Sequence, residues 1–364
     1  MAAAPTPAPT ILPAVAAAAP HMIALRRDLH AHPELAFEET ATAARVVDEL
    51  AAHPAVSIES GVAGTGVVAR ITLGSGAGCH IALRADMDAL PVREASDAPY
   101  ASQIDGVSHA CGHDGHVAIL VTVASILAAA ADGSVPELAG LDGTVTCIFQ
   151  PAEEAGGGAS CMIEAEAAGT VTHGLIADVD SIYGLHLWNY QALGTVGVAS
   201  GPVMANSDKF DIAVVGSGGH GATPHSAVDA VVVAGSLITA LQTVVARSVD
   251  PLASAVLSLG FVRGGYAHNV IADRVELGGT VRALDDSVRD TVAARIRSVC
   301  NGVASTFGAT IDCTYTHGYP ATVNAPEPTK LVAAAAKDVV GSAGVTDPYR
   351  TLCGEDFAYF TPVV

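Results

Sequence analysis

The residues best suited to chemistry are concentrated in one short stretch, residues 109–116, which reads His-Ala-Cys-Gly-His-Asp-Gly-His. Cysteine and histidine bind borderline transition metals, and Cys111 and His113 place two such donors on one short turn. A structural zinc site would need four ligands in paired clusters, and the sequence contains no Cys-x-x-Cys pair. The stretch therefore predicts either part of a metal site or a histidine-rich turn that caps a helix.

Two adjacent carboxylates, Glu153 and Glu154, come shortly after the predicted strand 144–150. Adjacent residues that leave a strand point in different directions, so one carboxylate can bind a metal while its neighbour faces the substrate as a general base. Metal hydrolases need this division of labour, because the metal lowers the pKa of a bound water and a carboxylate removes its proton. Adjacent glutamates are also common on protein surfaces, and the pair alone leaves both interpretations open.

A third candidate, His186, lies within the apolar stretch 181–188. A single histidine on such a strand is more often a core residue than a ligand. Its position at the carboxyl end of a predicted strand favours a functional role, because the sites of α/β proteins lie at that edge of the sheet.

The elements that must position these residues alternate between strand and helix. Helical periodicity covers residues 22–32 and 37–53, and a buried helix is predicted from His113 to about Ala131. Short runs typical of strands occupy residues 66–73, 80–86, 144–150, 181–188 and 194–200. This order predicts a layered α/β domain.

A different order of elements begins near Lys209 and continues to residue 316. Its strands and helices follow the order β-α-β-β-α-β, which predicts an inserted ferredoxin-like domain over residues 205–316. The first domain would then comprise residues 21–204 and 317–364. Residues 1–20 are rich in Ala and Pro and lack a basic start, which predicts a disordered tail rather than a signal peptide.

Composition excludes several classes of protein. The 364 residues include 17 Lys+Arg and 37 Asp+Glu, a formal net charge of -20, which argues against nucleic-acid or anionic-membrane partners. No uninterrupted apolar run reaches about 18 residues, so no transmembrane helix is expected. Seven cysteines in a long chain do not form the dense, even framework of a small secreted protein, which favours a reducing, cytoplasmic compartment.

Taken together, these stretches resemble one known family, the M20 metallopeptidases, and specifically their amidohydrolase branch. The motifs that carry the resemblance are LRADMDALPV (83–92), HACGHDGH (109–116), QPAEE followed by three glycines (150–158) and GLHLWN (184–189). The family's opening is similar to residues 26–40, and its lid domain is similar to residues 219–231, 268–273 and 278–284. The family's late GSEDF motif is similar to GEDFAYF (354–360).

The resemblance implies a layered α/β metal-hydrolase domain with an inserted ferredoxin-like lid and dimerisation domain. It also implies a dinuclear site of manganese or zinc, with cobalt or nickel as further candidates. Cys111 would bridge both metals, His113 and His186 would complete one, and Glu154 would bind the other. Glu153 would be the general base and then the acid for the leaving amine. Asp86 would orient a ligand histidine or the bridge. Arg84 stands where sister branches carry a ligand histidine, so it is not a candidate ligand, and a buried ion pair with a neighbouring carboxylate is one of two open interpretations of it.

The resemblance assigns substrate contacts to the lid. His220 or His225 would be presented to the scissile carbonyl, and His220 is favoured because it follows a Gly-Gly turn. Asn269 and Arg282 would hold the carboxylate of the substrate, a task that suits a planar guanidinium. Without the resemblance, these two residues would read as a turn asparagine and an exposed strand arginine. The family also implies a homodimer or homotetramer.

One departure from the family concerns its last ligand. The family usually continues past GSEDF and supplies another histidine to the metal held by Glu154, whereas the last histidine here is His317. That metal would keep only Cys111 and Glu154, while catalytic sites usually have three protein ligands. We therefore expect a chain that is truncated at its carboxyl end and a second metal site that is weak.

The sequence as a whole predicts an amidohydrolase that cleaves N-acyl or N-aroyl amino acids to a carboxylic acid and an amino acid. A metallo-dipeptidase or carboxypeptidase on the same scaffold is the first alternative. The second is a catalytically impaired homologue that acts only in binding or assembly.

Overall fold

The computed structural model describes residues 11–172 and 174–364, which divide into two compact units. The first unit runs through Ala199 and includes Ala325–Tyr349 and Tyr359–Val364, while the second comprises Ser200–Asn324 and Arg350–Ala358. The second unit thus begins before the predicted insertion at 205–316, ends after it, and includes a separate later stretch.

Seven α-helices and fifteen strands are present in the described part of the chain. The helices are α1 (Pro13–Ala31), α2 (Thr40–Ala51), α3 (His113–Ala131), α4 (Gly158–Ala167), α5 (Ala230–Ser248), α6 (Asp286–Phe307) and α7 (Pro326–Val340). The strands are β1 (Val56–Val62), β2 (Gly66–Leu73), β3 (His80–Asp86), β4 (Gly143–Gln150), β5 (Ser181–Gly184), β6 (Val196–Gly197), β7 (Gly201–Met204), β8 (Asp208–Val215), β9 (Gly219–His220), β10 (Ala255–Gly264), β11 (Val270–Ile271), β12 (Arg274–Ala283), β13 (Thr310–Thr316), β14 (Thr322–Asn324) and β15 (Val345–Thr346).

The first unit is built on a five-stranded mixed sheet in the order β1-β2-β4-β3-β5. β1, β2 and β4 pair antiparallel, whereas β3 runs parallel to both β4 and β5. Strands β2 and β4 are buried along nearly their whole length, and their almost continuous apolar sequences are typical of strands covered on both faces. The α/β layered class predicted from the sequence is confirmed.

The main core of this unit lies between the sheet and helices α1, α2 and α3. Burial of one leucine or valine side chain contributes about 1.5–3 kcal/mol, so this layer is a large share of the unit's stability. Its fully or almost fully buried members include Leu25, Leu29, Val46, Leu50, Val67, Ala69, Ile71, Val117, Val121, Cys147 and Phe149.

The parallel strands bring their carboxyl ends to one edge of the sheet. Asp86, the last residue of β3, pairs with Gln150, the last residue of β4. Gly184, the last residue of β5, pairs with Arg84 of β3. The segments that leave these three strands therefore start close together, and they carry most of the residues suspected of chemistry.

The second unit contains the predicted β-α-β-β-α-β order as β8-α5-β10-β12-α6-β13. Its four strands form one antiparallel sheet in the order β10-β12-β8-β13, the arrangement of a ferredoxin-like fold. The aspartates before the two helices cap them: Asp229 accepts hydrogen bonds from two amides of α5, and Asp285 does the same for α6. Buried residues of both helices pack on the sheet, among them Leu237, Leu241, Val292 and Ile296.

The amino-terminal segment differs from its expectation. Residues 13–20, predicted as part of a disordered tail, form the first turns of α1, while residues 1–10 lie outside the described residues. Pro13 stands at the first helical position, where its missing N–H costs nothing, and alanine has the highest helix propensity of any residue. These two preferences outweigh the internal Pro20.

Helices α3 and α5 are long and apolar enough, by length and composition alone, to cross a membrane. Both supply buried side chains to the core of their unit, as Val117 and Val121 do in α3 and Leu237 and Leu241 do in α5. Core packing accounts for their apolar composition, and this finding is weak evidence for a membrane span.

Candidate metal centre and active site

The amino terminus of α3 presents the first group of candidate ligands. Gly112 is its N-cap with a φ of 90°, a conformation that a residue with a side chain adopts only with strain. This turn separates Cys111 from His113, the first residue of the helix, whose side chain is 1% exposed. The spacing of the motif therefore places a thiol and an imidazole on the two sides of one tight turn.

Candidate ligands from three separate segments meet at His113. The donor atoms of Cys111, His113 and His186 all lie within 4.8 Å of one another. The donor atoms of His113, Glu153 and Glu154 satisfy the same limit. The structure thus brings together all four residues that the sequence suggested as ligands and the residue that it suggested as general base.

The hydrogen bonds of His186 define which ring nitrogen is protonated. Its Nδ1 lies 2.7 Å from the carbonyl oxygen of Leu187, which can only accept, so Nδ1 carries the proton. Its Nε2 therefore presents a lone pair, and this atom lies 3.5 Å from the Sγ of Cys111. A neutral imidazole with one anchored nitrogen is the form in which histidine binds metals.

Several buried polar atoms of this cluster have no hydrogen-bond partner among the residues that the structure describes, including both ring nitrogens of His113 and Oε1 of Glu154. The nearest carboxylates are Asp88, at 3.4 Å from Nδ1 of His113, and Asp86, at 3.5 Å from Nε2. An unsatisfied buried polar group costs about 1–3 kcal/mol, which a bound cation would offset. A mixed set of sulfur, nitrogen and oxygen donors suits a borderline divalent transition metal. The residues present therefore fit such an ion.

Asp86 is fully buried and accepts a hydrogen bond from Nη1 of Arg84 at 2.7 Å. The Nε of Arg84 donates to the side-chain oxygen of Gln150 at 2.8 Å. Burial disfavours the charged form of Asp86, but Arg84 and the two nearby histidines, His113 and His116, outweigh it and hold the pKa of Asp86 well below its usual range. Arg84 therefore takes part in a buried ion pair, as its sequence context suggested.

Asp88 is a site residue that sequence reasoning missed. It is 1% exposed, and its two oxygens accept hydrogen bonds from the main-chain amides of Glu153 and Glu154 at 3.0 and 2.9 Å. It thus fixes the turn that carries both carboxylates while it also faces His113. The signal was present as the second aspartate of Asp86-Met87-Asp88, but only the first was assigned a role.

Glu39 is a second residue that sequence reasoning missed, and it binds the backbone of the same turn. Its buried carboxyl accepts hydrogen bonds from the amide of Ala152 at 2.8 Å and from the hydroxyl of Thr65 at 2.5 Å. Ala152 has a φ of 52°, a strained value for a residue with a side chain, at a cost of about 1–3 kcal/mol. Burial raises the pKa of Glu39.

Gly158 closes this turn on its other side. A Cβ at Gly158 would lie 1.7 Å from the carbonyl oxygen of Pro151, so only glycine fits there. The last glycine of the run that follows Glu154 is therefore a packing requirement of the turn that presents Glu153 and Glu154.

Binding of a cation at the ligand cluster is coupled to the release of protons from the ligands. Burial raises the pKa of the Cys111 thiol to about 11 and also raises the pKa of Glu154. Burial opposes protonation of His113, but the carboxylates of Asp86 and Asp88 raise its pKa well above the usual value. A metal must displace protons from such ligands, which makes its affinity depend on pH.

The four candidate substrate contacts lie in the second unit. β9 and β11 pair His220 with Val270, and the amide of Gly221 donates to the carbonyl oxygen of Asn269 at 2.8 Å. His220 and Asn269 are therefore neighbours. His225 is exposed in a short 3₁₀ turn, Pro224–Ser226. Arg282 lies on β12, where its Nη1 donates to the carbonyl oxygen of Val281 at 3.1 Å.

Comparison with known proteins identifies the family. A profile of Peptidase family M20/M25/M40 matches residues 82–364, which is more than half of the chain. The chain belongs to the M20 family. Its fold and its cluster of candidate ligands therefore come from a family of hydrolases, and the chain is a hydrolase.

Relatives and a solved structure agree with this assignment over most of their lengths. N-acetyl-L-cysteine deacetylase of Bacillus subtilis is 40% identical over 93% of this chain and 77% of that protein. N-acyl-L-amino acid amidohydrolase of Geobacillus stearothermophilus is 40% identical over 84% of this chain and 78% of that protein. The YxeP protein of Bacillus subtilis, a dinuclear metal-binding M20 peptidase, is 34% identical with a TM-score of 0.78, over 95% of this chain and 86% of that chain.

Proposed function

We propose that this M20 hydrolase is a metal-dependent amidohydrolase that cleaves N-acyl or N-aroyl amino acids to a carboxylic acid and an amino acid. The observation that carries the proposal is the convergence of Cys111, His113, His186 and Glu154 beside a further carboxylate, Glu153. The names of the relatives at 40% identity, a deacetylase of N-acetyl-L-cysteine and an N-acyl-L-amino acid amidohydrolase, support the substrate class.

We propose two divalent cations, manganese or zinc, with cobalt and nickel as further candidates. Cys111, His113 and His186 would hold one of them, and Cys111 with Glu154 would hold the other. Such ions supply Lewis acidity that polarises the scissile carbonyl and lowers the pKa of water. The second site has fewer of the proposed ligands, so we expect the weaker affinity there.

The chemical role of the protein falls mainly on Glu153. Glu153 is 6% exposed, and its carboxylate oxygen lies within 4.8 Å of the donor atoms of His113 and Glu154. We propose that the Glu153 carboxylate accepts the proton of the attacking water and then delivers it to the nitrogen of the leaving amine. Asp88 and Glu39 hold the backbone of this turn, which keeps the carboxylate aimed while it exchanges the proton.

Residues of the second unit would bind the substrate. Nδ1 of His220 accepts a hydrogen bond from the amide of Ala222 at 3.1 Å, so Nε2 carries the proton and can donate to a carbonyl oxygen. We propose this role for His220, and substrate binding for Asn269, Arg282 and His225. Assembly as a homodimer or homotetramer and a cytoplasmic location complete the proposal.

A substrate panel tests the assignment. The chain, loaded with manganese or with zinc, is offered N-acetyl and N-benzoyl amino acids and, separately, dipeptides with free amino groups, and release of the amino acid is measured. We expect hydrolysis of the acylated series. Preference for dipeptides would instead favour a dipeptidase or carboxypeptidase, and metal binding without turnover of either series would favour an impaired homologue.

A further inference from the structure

The candidate ligand His186 lies beyond the end of the strand that leads to it. Within the described residues, strand β5 is at the edge of its sheet and pairs with β3, and this pairing ends at Gly184, two residues before His186. The sheet therefore does not hold the imidazole in place, and a metal ligand must be held within about 0.5 Å to bind well. Some other contact has to fix this segment.

The peptide groups of Leu187 make two such contacts. Its carbonyl oxygen accepts from Nδ1 of His186 at 2.7 Å, and its amide donates to Nε2 of His116 at 2.8 Å. The residue that follows the candidate ligand thus orients the ligand ring through one peptide group and is tied to helix α3 through the other.

His116 has only one neutral form that satisfies these partners. A backbone amide can only donate, so Nε2 of His116 must accept, and Nδ1 must carry the proton. This Nδ1 lies 2.6 Å from Oδ1 of Asp86 and donates to it. His116 is 3% exposed and lies near His113, yet both of its nitrogens are already used in hydrogen bonds.

The side chain of Leu187 lies against the start of α3. A Cβ at Gly115 would stand 2.3 Å from Cδ1 of Leu187, and a Cβ at Gly112 would stand 3.6 Å from its Cβ. Gly115 has a helical backbone, where alanine would otherwise be preferred. The close approach of Leu187 explains why glycine occupies position 115.

We propose that Gly115 and His116 form a dock for Leu187 and thereby position His186, so that the second half of the His109–His116 motif orients a distant ligand instead of binding metal. The chain of contacts runs from Arg84 through Asp86, His116 and Leu187 to His186. This inference rests on the proposed metal-dependent function and adds positioning residues to it.

Substitutions of His116 separate its two hydrogen bonds. His116→Gln can place an acceptor where Nε2 was and keep Leu187, whereas His116→Asn can keep the donor to Asp86 but does not reach Leu187. His116→Phe keeps the ring and loses both bonds. We expect metal affinity to fall about 10–100-fold in the Phe and Asn variants and less in the Gln variant.

A second set of variants tests the packing. Gly115→Ala should weaken metal binding, and adding Leu187→Ala should restore part of the loss, because the clash is with the end of the leucine side chain. Gly302→Ala is the matched control. Gly302 lies on another helix, α6, where an added Cβ would meet no described atom within 4 Å.

The readouts are metal content, the absorption spectrum of the cobalt-loaded protein and hydrogen exchange of the Leu187 amide. We expect the Phe and Asn variants to lose exchange protection at Leu187 while they keep the thiolate-to-cobalt band of Cys111. If these variants have lower thermal stability but unchanged metal affinity and unchanged exchange protection of the Leu187 amide, the proposed role of Gly115 and His116 is wrong. Loss of the cobalt band in every His116 variant, Gln included, would overturn it in favour of His116 as a ligand.

The two proposals can fail separately. Unaltered protein that binds no metal contradicts the proposed function, and the exchange of the Leu187 amide in the His116 variants still decides the dock. Unaltered protein that binds metal, with variants that bind it equally well, contradicts the dock and leaves the proposed function standing.

Discussion

Two fully buried aspartates, Asp86 in the first unit and Asp208 in the second, differ in how completely their surroundings are satisfied. Asp208 accepts from Nε and Nη2 of Arg289 at 2.8 and 2.5 Å, from the hydroxyl of Tyr315 at 2.7 Å and from the amide of Gly318 at 3.0 Å. Beside Asp86, in contrast, the two buried ring nitrogens of His113 find no hydrogen-bond partner in the described part of the chain, and the nearest carboxylates lie 3.4 and 3.5 Å away.

The difference separates a structural network from a functional one. Asp208 and the groups that donate to it hold elements together, because these hydrogen bonds join β8 to α6 and β13. A cluster that leaves buried donors and acceptors unsatisfied reduces stability unless something else binds there. We therefore expect changes at the first cluster to alter function and changes at the second to alter stability.

The largest effect is expected for Glu153→Gln, which keeps the shape of the side chain and removes its basicity. Turnover should fall by about 10²–10⁴-fold, the usual contribution of a general base, while metal content stays the same. Steady-state kinetics and elemental analysis of the same preparation measure both quantities. Unchanged turnover in this variant would remove Glu153 from the reaction.

The next largest effect is expected for Cys111→Ala, which removes the donor proposed for both metals. Metal affinity should fall by more than the roughly 10–100-fold expected when only a supporting hydrogen bond is lost. Calorimetric titration with manganese or zinc measures it. Cys79→Ala is the matched control, because Cys79 is exposed and precedes β3, at the opposite end from Asp86. Equal affinity in both variants would exclude Cys111 as a ligand.

A smaller effect, on stability, is expected for Asp208→Asn. Removing one partner of a buried ion pair typically costs about 3–5 kcal/mol, because the other charge stays buried without compensation. The free energy of unfolding of the second unit, measured in denaturant at pH 7, should fall by this amount, and metal content should not change. Loss of metal with unchanged stability would reverse the comparison between the two clusters.

The same variant has a defined dependence on pH. Burial disfavours the charged form of Asp208, but hydrogen bonds from Arg289 and Tyr315 outweigh it and lower the pKa of Asp208. A lowered carboxyl pKa stabilises the folded state above the unfolded value of about 3.9, and this stabilisation disappears as the pH falls through the folded value. The difference between the unaltered protein and Asp208→Asn should therefore shrink below about pH 4.

An exposed ion pair gives the control for these stability measurements. Lys330 and Glu327 lie 2.6 Å apart on α7 with side chains that are 69% and 80% exposed. Because solvent screens such a pair, Glu327→Gln should leave the free energy of unfolding within about 0.5 kcal/mol of the unaltered protein.

Much of the site could be predicted because its donors are unusual residues at short spacing. Cys111 and His113 are two positions apart, and Glu153 and Glu154 come shortly after a strand, so local patterns were enough to single them out as candidates. That these residues share one site was implied by the resemblance to the M20 family and not by any local pattern. The β-α-β-β-α-β order of the second unit was likewise predictable, since each of its elements has a clear periodicity.

Residues that act only through distant partners could not be predicted. Asp88 matters because it accepts from amides 65 and 66 residues away, and Glu39 because it accepts from one 113 residues away. The local sequence of Glu39 does not distinguish it from a surface acid, and the Asp86-Met87-Asp88 pattern does not show that Asp88 accepts from these two amides. His116 was visible in the motif, but its hydrogen bond to Leu187, 71 residues away, was not.

The sequence by itself determined the chemistry that this protein can perform, because ligand types, their order and the elements that carry them are local properties of the chain. Only the tertiary structure decided which polar groups are satisfied and which are left for a metal. The reason is physical: the cost of burying a polar atom depends on every partner around it, and those partners come from segments that the sequence keeps far apart.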